Sequence, residues 1–323
     1  MQHFLKIIFS LAICALIAAC SGGGGGSSSS DGGSVESSGS SSDSASSGDS
    51  GGTTSARDGF TLQVTDAPIE LMQAVVLQFT EVRLRRASGS WLDFPLETPK
   101  SIDLLQLQGE STEDLLSGID LPPGKYDEIR LLVDASPMTN YVDLGVGGMS
   151  ELKIPSGSSS GLKIKGDFTV VAEGSKTMVI DFDLRQSIKE VGKSGKYMMS
   201  PVVRLEDADQ TGLLRGQVNV NFLSSTPDCS DNDVDTHNAV YVYAGHDVIP
   251  EDIDHSSNLD VDPVATAVIK YVPLKAEYEY VAAFLPEGDY TTAITCNADL
   301  DDLDQGGDDL KFIIVRNVTV TAM

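Results

Sequence analysis

Hydrophobic and polar residues alternate along several short segments of the chain, and this period of two is typical of strands with one buried face. The segments TLQVT (61–65), VRLRR (82–86), LKIK (162–165) and MVIDFDL (178–184) all follow it. Residues that favour turns interrupt the pattern about every ten positions, as they do in sandwiches of antiparallel strands. The pattern therefore predicts an all-β chain.

Short helical turns and one polar break are expected between these strands. Brief helical turns are predicted in SIDLLQL (101–107) and in STEDLLSG (111–118), where Ser111 and Asp114 are suitable caps. The polar segment EDADQTG (206–212) separates two strand-rich halves. We therefore predict one sandwich over residues 58–207 and a second sandwich over residues 212–323.

A related hexapeptide occurs once in each half. LPPGKY (121–126) and LPEGDY (285–290) share the pattern L-P-x-G-x-Y, and each leads into a predicted strand. The positions of Pro and Gly favour a type I turn, after which the tyrosine can pack its ring and reach backbone with its hydroxyl. Such turns are common in immunoglobulin-like and transthyretin-like sandwiches, so we predict two antiparallel sandwiches of this kind in series. Convergence explains the shared hexapeptide as well as duplication does.

Six motifs of the first half occur in the order that is found in a known family. They are LQVTDAP (62–68), WLDFPL (91–96), IDLLQLQ (102–108), LPPGKYDEIRL (121–131), LKIPSGSSSGLKI (152–164) and IDFDLRQSI (180–188). Residues 59–205 therefore resemble the bacterial lipoprotein family of domain-of-unknown-function 4382. This resemblance implies an exported, lipid-anchored β-sandwich, and it implies no activity. The second half is similar to transthyretin-like or carboxypeptidase-regulatory sandwiches, on LPEGDY and the strand layout alone.

The N-terminus predicts where the protein is sent. Lys6 precedes an apolar run that ends at Ala19, which is the layout of a secretory signal peptide and is too short to span a bilayer. The sequence Ile-Ala-Ala-Cys at 17–20 resembles the bacterial lipobox, which implies cleavage before Cys20 and acylation of that cysteine. The membrane is therefore an expected partner through N-terminal acyl chains. Ser21 favours the outer membrane over the inner membrane.

A segment rich in small residues follows the lipobox. After the signal peptide of residues 1–19, residues 20–57 are nearly all Gly, Ser, Thr and Asp. Such a segment buries too little apolar surface to order its backbone. We predict a disordered tether with a root-mean-square reach of roughly 30–35 Å.

Charge and cysteine content limit the partners and the compartment. The 323 residues carry a formal net charge of −26, which argues against nucleic acid and anionic lipid as charge-driven partners. With Cys14 in the signal peptide and Cys20 as the lipid site, Cys229 and Cys296 remain as an even pair. In an oxidising compartment we predict a structural disulfide between them.

The residues that catalysis would need are sparse. GSSSG (157–161) fits the hydrolase pattern G-x-S-x-G, but a predicted strand follows it where the nucleophile elbow needs a helix, so Ser159 is expected to be a loop serine. Outside the signal peptide the histidines are His237, His246 and His255, which are too widely spaced for a usual zinc motif. We therefore predict a protein that is not an enzyme. A hydrolase is the less favoured alternative.

Two acidic clusters in the second half are candidates for a cation site. One has carboxylates at positions 1, 3 and 5 of a calcium-type loop, without the Gly and Glu of an EF-hand, and the other follows Cys296. The predicted disulfide would bring them close, and a cation or solvent would then screen their repulsion. We predict either a weak Ca²⁺ site, with no other cofactor, or two solvated loops. The candidate ligands are Asp231, Asp233, Asp235, Asp299, Asp301, Asp302 and Asp304.

These features together favour a lipid-anchored cell-envelope protein that presents a non-catalytic binding or scaffold surface to an envelope protein or a glycan. A carbohydrate-binding module needs exposed aromatic rings, and Tyr241 and Tyr243 share one face of a predicted strand. A carbohydrate-binding or calcium-dependent adhesion module is therefore the alternative, with these two tyrosines as candidate ligand-binding residues.

Overall fold

The computed structural model of the protein describes residues 59–67, 72–219, 223, 226, 229, 237–254, 261–303 and 308–323. By its contacts the chain divides after Thr53, and all of the described residues belong to the compact unit Thr54–Met323. The predicted signal peptide, Cys20 and the predicted tether lie outside the described residues. In the part of the chain that is described, no helix is both long and apolar enough to cross a membrane.

Twelve strands form the first sandwich, residues 60–207, and four residues form a short α-helix, α1 (Leu184–Ser187). The alternating segments of the sequence lie in these strands, which confirms the all-β prediction. The strands are β1 (Phe60–Ala67), β2 (Ala74–Arg86), β3 (Trp91–Asp103), β4 (Glu113–Ile119), β5 (Gly124–Val133), β6 (Tyr141–Asp143), β7 (Met149–Lys153), β8 (Leu162–Val170), β9 (Lys176–Asp183), β10 (Ile188–Glu190), β11 (Tyr197–Met199) and β12 (Val203–Asp207).

Two sheets enclose the core of the first sandwich. The smaller sheet has the order β12-β9-β1-β4, and the larger has the order β10-β11-β7-β6-β2-β5-β8 with β3 also paired to β2. One cluster of buried side chains, including Leu62 and Val64 from β1 and Val82 and Leu84 from β2, fills the space between them. Two pairs, β1 with β9 and β7 with β11, are parallel rather than antiparallel. Long connections between these strands allow them to run in the same direction.

In the described part of residues 211–320, seven strands form the second sandwich, after a connection that consists of the 3₁₀ helix Ala208–Gln210. One sheet has the order β13-β17-β16 and the other has the order β15-β14-β18-β19, and all of their pairs are antiparallel. The strands are β13 (Thr211–Val218), β14 (Ala239–Ala244), β15 (Ala265–Val268), β16 (Lys270–Val272), β17 (Glu277–Pro286), β18 (Gly288–Thr295) and β19 (Ile314–Val320).

The second sandwich contains the predicted disulfide. Cys229 and Cys296 are bonded, with their Cα atoms 5.4 Å apart and 67 residues between them in sequence. A crosslink over a loop of this length stabilises the fold by about 4 kcal/mol in the chain-entropy model. Among the described strands, no pairing joins residues 60–207 to residues 211–320. The predicted domain boundaries stay a prediction, because the residues from Thr54 onward form one compact unit.

The alternation of the sequence corresponds to burial in most strands, with two instructive differences. In β8 the residues Leu162 and Ile164 are buried and the lysines between them are exposed, as predicted. In β9, however, the residues from Met178 to Phe182 are all buried, because both of its faces are covered. The helical turn predicted at 111–118 is wrong. That segment forms β4, which pairs with β1 and buries Leu115 and Leu116.

Each L-P-x-G-x-Y turn is closed by its tyrosine. The hydroxyl of Tyr126 donates a 2.8 Å hydrogen bond to the carbonyl of Pro122, and the hydroxyl of Tyr290 donates a 2.7 Å bond to the carbonyl of Pro286. Both rings are buried, so each hydroxyl depends on this backbone acceptor. The two hexapeptides therefore have the same structural role. Each one fixes the backbone at the start of the strand that follows it, β5 or β18.

We expect Tyr126→Phe and Tyr290→Phe each to lower the free energy of unfolding by about 1 kcal/mol, the net contribution of one hydrogen bond. Urea denaturation of the purified variants measures this loss. Tyr271→Phe is the control, because Tyr271 is 39% exposed and lies outside both turns. A loss at Tyr271 equal to that at the two turn tyrosines would contradict the assignment.

Candidate functional site

The two sandwiches meet at a junction, where the side chain of Arg185 from the first sandwich enters the second. Asp183 begins helix α1 by accepting a 2.9 Å hydrogen bond from the backbone N–H of Gln186, and this turn presents Arg185 to the second sandwich. There the guanidinium donates to the hydroxyl of Tyr241 at 2.5 Å and lies 3.2 Å from the carboxylate of Asp301. It also donates to the carbonyl oxygens of Ala298 and Asp301.

The groups around Arg185 form a closed network of hydrogen bonds. The hydroxyl of Tyr241 donates to one oxygen of Asp301 at 2.6 Å, and the other oxygen accepts the backbone N–H of Ile253 at 3.2 Å. Burial raises the pKa of Asp301, although Arg185 and Tyr241 offset part of this effect. Burial alone would lower the pKa of Arg185, but Tyr241 and Asp301 hold it above its usual value. The arginine and the carboxylate therefore stabilise each other's charged forms.

A second arginine crosses the junction from β12. Arg204 pairs with the carboxylate of Asp181 on the neighbouring strand β9 and also donates to the carbonyls of Phe284 (3.4 Å) and Ala283 (3.5 Å) on β17. Burial raises the pKa of Asp181, and the charge of Arg204 opposes that rise. Because β17 lies over this pair, the outer face of β9 is buried as well as its inner face. Two exposed contacts also join the sandwiches, between Arg215 and Glu110 and between Lys270 and Gln108.

One buried carboxylate at the junction has no hydrogen bond in the described structure. Asp66, on β1, is 3% exposed, and neither of its side-chain oxygens has a partner of good geometry. It lines a cavity of about 20 Å³ together with Asp181 and Arg204, which is room for one water molecule. Burial raises the pKa of Asp66 well above its usual value, and Asp181 and Asp183 raise it further. The nearby N–H of Leu184 offsets only part of this rise.

An acidic cluster lies next to the Arg185 network and shares Asp301 with it. One carboxylate oxygen from each of Asp252, Asp301 and Asp308 lies within 4.8 Å of the others. These groups already take part in the fold: Asp252 accepts the backbone N–H of Asp308 at 3.0 Å, and Asp308 accepts that of Asp302. Carboxylates are suitable calcium ligands, and here they also serve as hydrogen-bond acceptors for the loop that holds Asp301.

The predicted calcium ligands are only in part described. Asp231, Asp233, Asp235 and Asp304 lie outside the described residues. Of the others, Asp301 belongs to the acidic cluster, Asp302 is exposed, and Asp299 lies 3.9 Å from His237. The calcium site stays a prediction. Asp308 belongs to the acidic cluster that follows Cys296 in the sequence, whereas Asp252 could not be found from the sequence.

Tyr241 and Tyr243 do share a face of β14, but the prediction that they form a ligand platform is wrong. Both side chains are fully buried. The ring of Tyr241 lies 5.4 Å and that of Tyr243 lies 6.4 Å from the ring of Phe312, edge to face. The hydroxyl of Tyr243 donates to the carbonyl of Glu251. The two tyrosines therefore form a second small core beside the junction instead of an aromatic surface.

The local structure around the candidate catalytic serine agrees with its interpretation as a loop residue. Ser159 lies in turns between β7 and β8, where its backbone N–H donates to the carbonyl of Ser156 at 3.1 Å. A strand follows it, so this G-x-S-x-G segment does not form a nucleophile elbow. His237 and His246 lie in different loops, and His255 is outside the described residues.

The outward face of the larger sheet carries an ordered set of charges around the single tryptophan, Trp91. Two rows run across β3, β2, β5 and β8 in register. Arg130 lies over the Trp91 ring at 4.3 Å from its centroid, and Arg85 lies at 5.8 Å. We call this surface the Trp91 face. Its rows consist of Asp93, Arg83, Arg130 and Lys163, and of Trp91, Arg85, Glu128 and Lys165.

Comparisons with known proteins assign the first sandwich. Residues 59–201 match the family model described as "Domain of unknown function (DUF4382)", which confirms the resemblance seen in the sequence motifs. No curated protein matches the chain. This first sandwich is thus a DUF4382 domain, and the family description names no activity.

Two solved structures show a remote likeness. One is a leucine-rich repeat protein from Bacteroides thetaiotaomicron, at 11% identity and a TM-score of 0.21, covering 82% of this chain and 25% of that one. The other is the Bacillus anthracis TIE protein, at 12% identity and a TM-score of 0.20, covering 79% of this chain and 32% of that one. The chain therefore spans about a third or less of either protein.

We expect Arg185→Met to lower the free energy of unfolding by about 3 kcal/mol, because it leaves the buried carboxylate of Asp301 without its cation. Arg215→Met is the matched control. Arg215 also crosses the junction, but its pair with Glu110 is 57% and 44% exposed, so its loss should cost less than 1 kcal/mol. Urea denaturation measures both, and adding Asp301→Asn to Arg185→Met should recover part of the loss. Equal losses for the two arginines would contradict the network.

The Asp66 carboxyl should make stability depend on pH in a defined direction. Its folded pKa lies above the unfolded value of 3.8, so its contribution is fully present below about pH 3.8. That contribution is lost as the pH rises through the folded pKa. Asp66→Asn removes this loss, and at pH 8 we expect it to raise the free energy of unfolding by about 1–2 kcal/mol over the wild type.

Urea denaturation from pH 4 to pH 8 tests this expectation. The gap between Asp66→Asn and the wild type should narrow towards pH 4, where Asp66 is protonated. Asp209→Asn serves as control, because it replaces an exposed carboxylate outside the buried pair of Asp66 and Asp181. A gap that widens on acidification would show that the assigned direction of the pKa shift is incorrect.

Proposed function

We propose that this protein is a lipid-anchored bacterial cell-envelope protein that presents a non-catalytic binding or scaffold surface. The observation that carries the proposal is the lipobox-like sequence that ends at Cys20, followed directly by the Gly/Ser-rich segment up to residue 57. Acyl chains hold such a protein at a bilayer, and the segment after them keeps a folded region at a distance from the lipid. From the predicted signal peptide and Ser21 we expect the protein to be anchored in the outer membrane.

The junction supports a scaffold role. The connection of three residues between β12 and β13 is short, and Arg185 and Arg204 each bind carbonyls of the other sandwich. Buried charges are costly to separate from their partners, so the two sandwiches are held as one body. A rigid body of this kind is a suitable carrier for exposed loops and sheet faces that bind other molecules.

The Trp91 face is the surface that we assign to partner binding. Its two rows contain five cationic side chains and two carboxylates, and Glu81 and Asp127 pair with Arg83 and Arg85, so a small cationic excess remains although the whole chain has a net charge of −26. Arginine and tryptophan are enriched where proteins bind one another. The partner expected here is an envelope protein with an acidic surface.

The described residues support the glycan-binding, calcium-dependent adhesion and hydrolase alternatives to different degrees. The glycan hypothesis loses Tyr241 and Tyr243, which are buried, and the Trp91 ring has Arg130 over one face. The calcium-dependent adhesion hypothesis retains the group of Asp252, Asp301 and Asp308. Nothing in the described residues assembles a nucleophile with a base and an orienting group, so the hydrolase alternative gains no support.

Anchoring and partner binding can be tested in one experiment in the native host. We expect the wild type to fractionate with membranes and to carry acyl chains on its first mature residue, as read by mass spectrometry of the N-terminal peptide. Cys20→Ala should abolish acylation, and any of this variant from which the signal peptide has been removed should leave the membrane fraction. Cys14→Ala is the matched control, because it alters a cysteine of the same signal region and leaves the lipobox-like sequence intact.

Crosslinking of intact cells then tests the Trp91 face. Capture of an envelope protein by the wild type should fall at least about tenfold when Lys163→Glu and Lys165→Glu are combined, since each reversal places like charges in the contact. Lys275→Glu, on the second sandwich, should capture as the wild type does. Unchanged capture by the double variant would overturn the assignment of this face, and membrane association of Cys20→Ala after removal of its signal peptide would overturn the anchoring.

A further inference from the structure

Two hairpin tips lie side by side at one end of the larger sheet of the first sandwich. One joins β6 to β7 through the 3₁₀ helix Gly145–Gly147, and the other joins β10 to β11. The parallel pairing of β7 with β11 aligns the two tips, and the hydroxyl of Ser150 donates a 2.6 Å hydrogen bond to the carbonyl of Gly195. We call residues 144–150 and 190–197 the double-hairpin end.

The double-hairpin end exposes aliphatic side chains on convex tips. Val146 is fully exposed, Met149 is 62% exposed and Val191 is 49% exposed. A methyl group placed on Gly148 or on either glycine of the β10–β11 tip would meet no atom within 4 Å, so these parts of the tips are open, whereas Gly145 packs against the side chain of Gln73. An apolar group in such a position is not part of a groove and has no pocket around it.

Lysines surround these apolar tips. Lys153, Lys189, Lys193 and Lys196 are exposed on the same two hairpins. Lys153 and Lys189 flank Met198 on either side in register. The acidic residues of these hairpins are Asp143, Glu151 and Glu190, so the local charge is 4 − 3 = +1, whereas the whole chain has a charge of −26.

Glu190 is the acidic side chain within residues 190–197, and it offsets one of the two lysine charges there. One oxygen of Glu190 accepts the backbone N–H of Gly195 at 2.7 Å, so that carboxylate is used to hold the hairpin turn. Among the described residues, no ion pair joins Lys193 or Lys196 to a carboxylate. The ammonium groups are therefore directed to solvent beside the exposed valine and methionine.

We propose that the double-hairpin end is a membrane-contact surface that prefers anionic lipid. Convex aliphatic tips enter the headgroup region without needing a complementary pocket, and lysines next to them meet lipid phosphates. An acidic protein would need a concave surface to enclose two separate tips, so a lipid surface is the better fit. Repulsion from the acidic remainder of the chain is screened beyond about 10 Å at ordinary ionic strength, which leaves the local charge to act.

Vesicle flotation with residues 20–323 carrying Cys20→Ala tests the proposal, because that protein has neither an acyl chain nor the apolar signal peptide. We expect at least about tenfold stronger association with vesicles of equal parts phosphatidylglycerol and phosphatidylcholine than with phosphatidylcholine alone, and weaker association in high salt. Combining Lys193→Gln with Lys196→Gln should reduce association about tenfold. Combining Val146→Ser with Met149→Ser should reduce it on both kinds of vesicle.

A third hairpin tip provides the matched control. Leu274 is fully exposed beside Lys275, whose ammonium lies 2.6 Å from the carboxylate of Glu279, so this tip has the same kinds of residue without the free charge. Leu274→Ser with Lys275→Gln should associate as the starting protein does. Equal association with both vesicle types would overturn the proposal, and so would unchanged association of both hairpin variants. Loss of crosslinks to an acidic protein on Lys193→Gln and Lys196→Gln, without vesicle association of the starting protein, would assign this end to a protein partner instead and overturn the lipid assignment.

Discussion

The burial of the Arg185 guanidinium at the junction determines which side chains and loop must surround it in the second sandwich. A guanidinium that enters the second sandwich must be met by acceptors, since an unpaired buried charge is too costly to keep. Tyr241, Asp301 and the carbonyl of Ala298 supply those acceptors. The burial of Tyr241 and the presence of a carboxylate at Asp301 both follow from this requirement. The loop that carries Asp301 is then fixed in turn by Asp252 and Asp308. In the sequence, the acidic loop around Asp301 suggests a function of its own. In the structure, this loop binds Arg185 of the other sandwich through Asp301.

The elements of the fold that depend on neighbouring residues could be predicted from the sequence. The alternation in LKIK gave the correct buried face of β8, and L-P-x-G-x-Y gave both turns and the direction of both tyrosine hydroxyls. The error at 111–118 has a physical cause. Leu115 and Leu116 are adjacent, which suits one face of a helix, but β4 is an edge partner of β1 and both leucines find buried positions there. Pairing with a strand fifty residues earlier overrides the local preference for a turn.

The junction could not be predicted in the same way, because its contacts join residues far apart in sequence. The pattern of β14 shows that Tyr241 and Tyr243 share a face, but it cannot show what covers that face. In the structure Phe312 and the Arg185 network cover it. The same limit applies to Asp66, which follows the buried Val64 in an ordinary strand pattern and becomes buried because the second sandwich closes over it. A signal was nevertheless present. Arg185 lies two residues after the capping Asp183, in the turn Leu184–Ser187 whose other residues are uncharged, which is an unusual place for a solvated cation.

The net charge of this protein describes its electrostatic interactions at long range, but it does not describe those of its individual surfaces at short range. At −26 the chain as a whole is expected to be repelled by polyanions, and the prediction against charge-driven binding of nucleic acid and anionic lipid rests on that average. The average hides an uneven distribution, because the Trp91 face and the double-hairpin end both carry more cationic than anionic side chains, and both lie within the DUF4382 domain. Fields in water with salt decay over about 10 Å, so each surface acts on whatever touches it with its own local sign. A protein held at a bilayer by acyl chains would bring such surfaces repeatedly within that distance, and weak local contacts would then be sufficient to orient it.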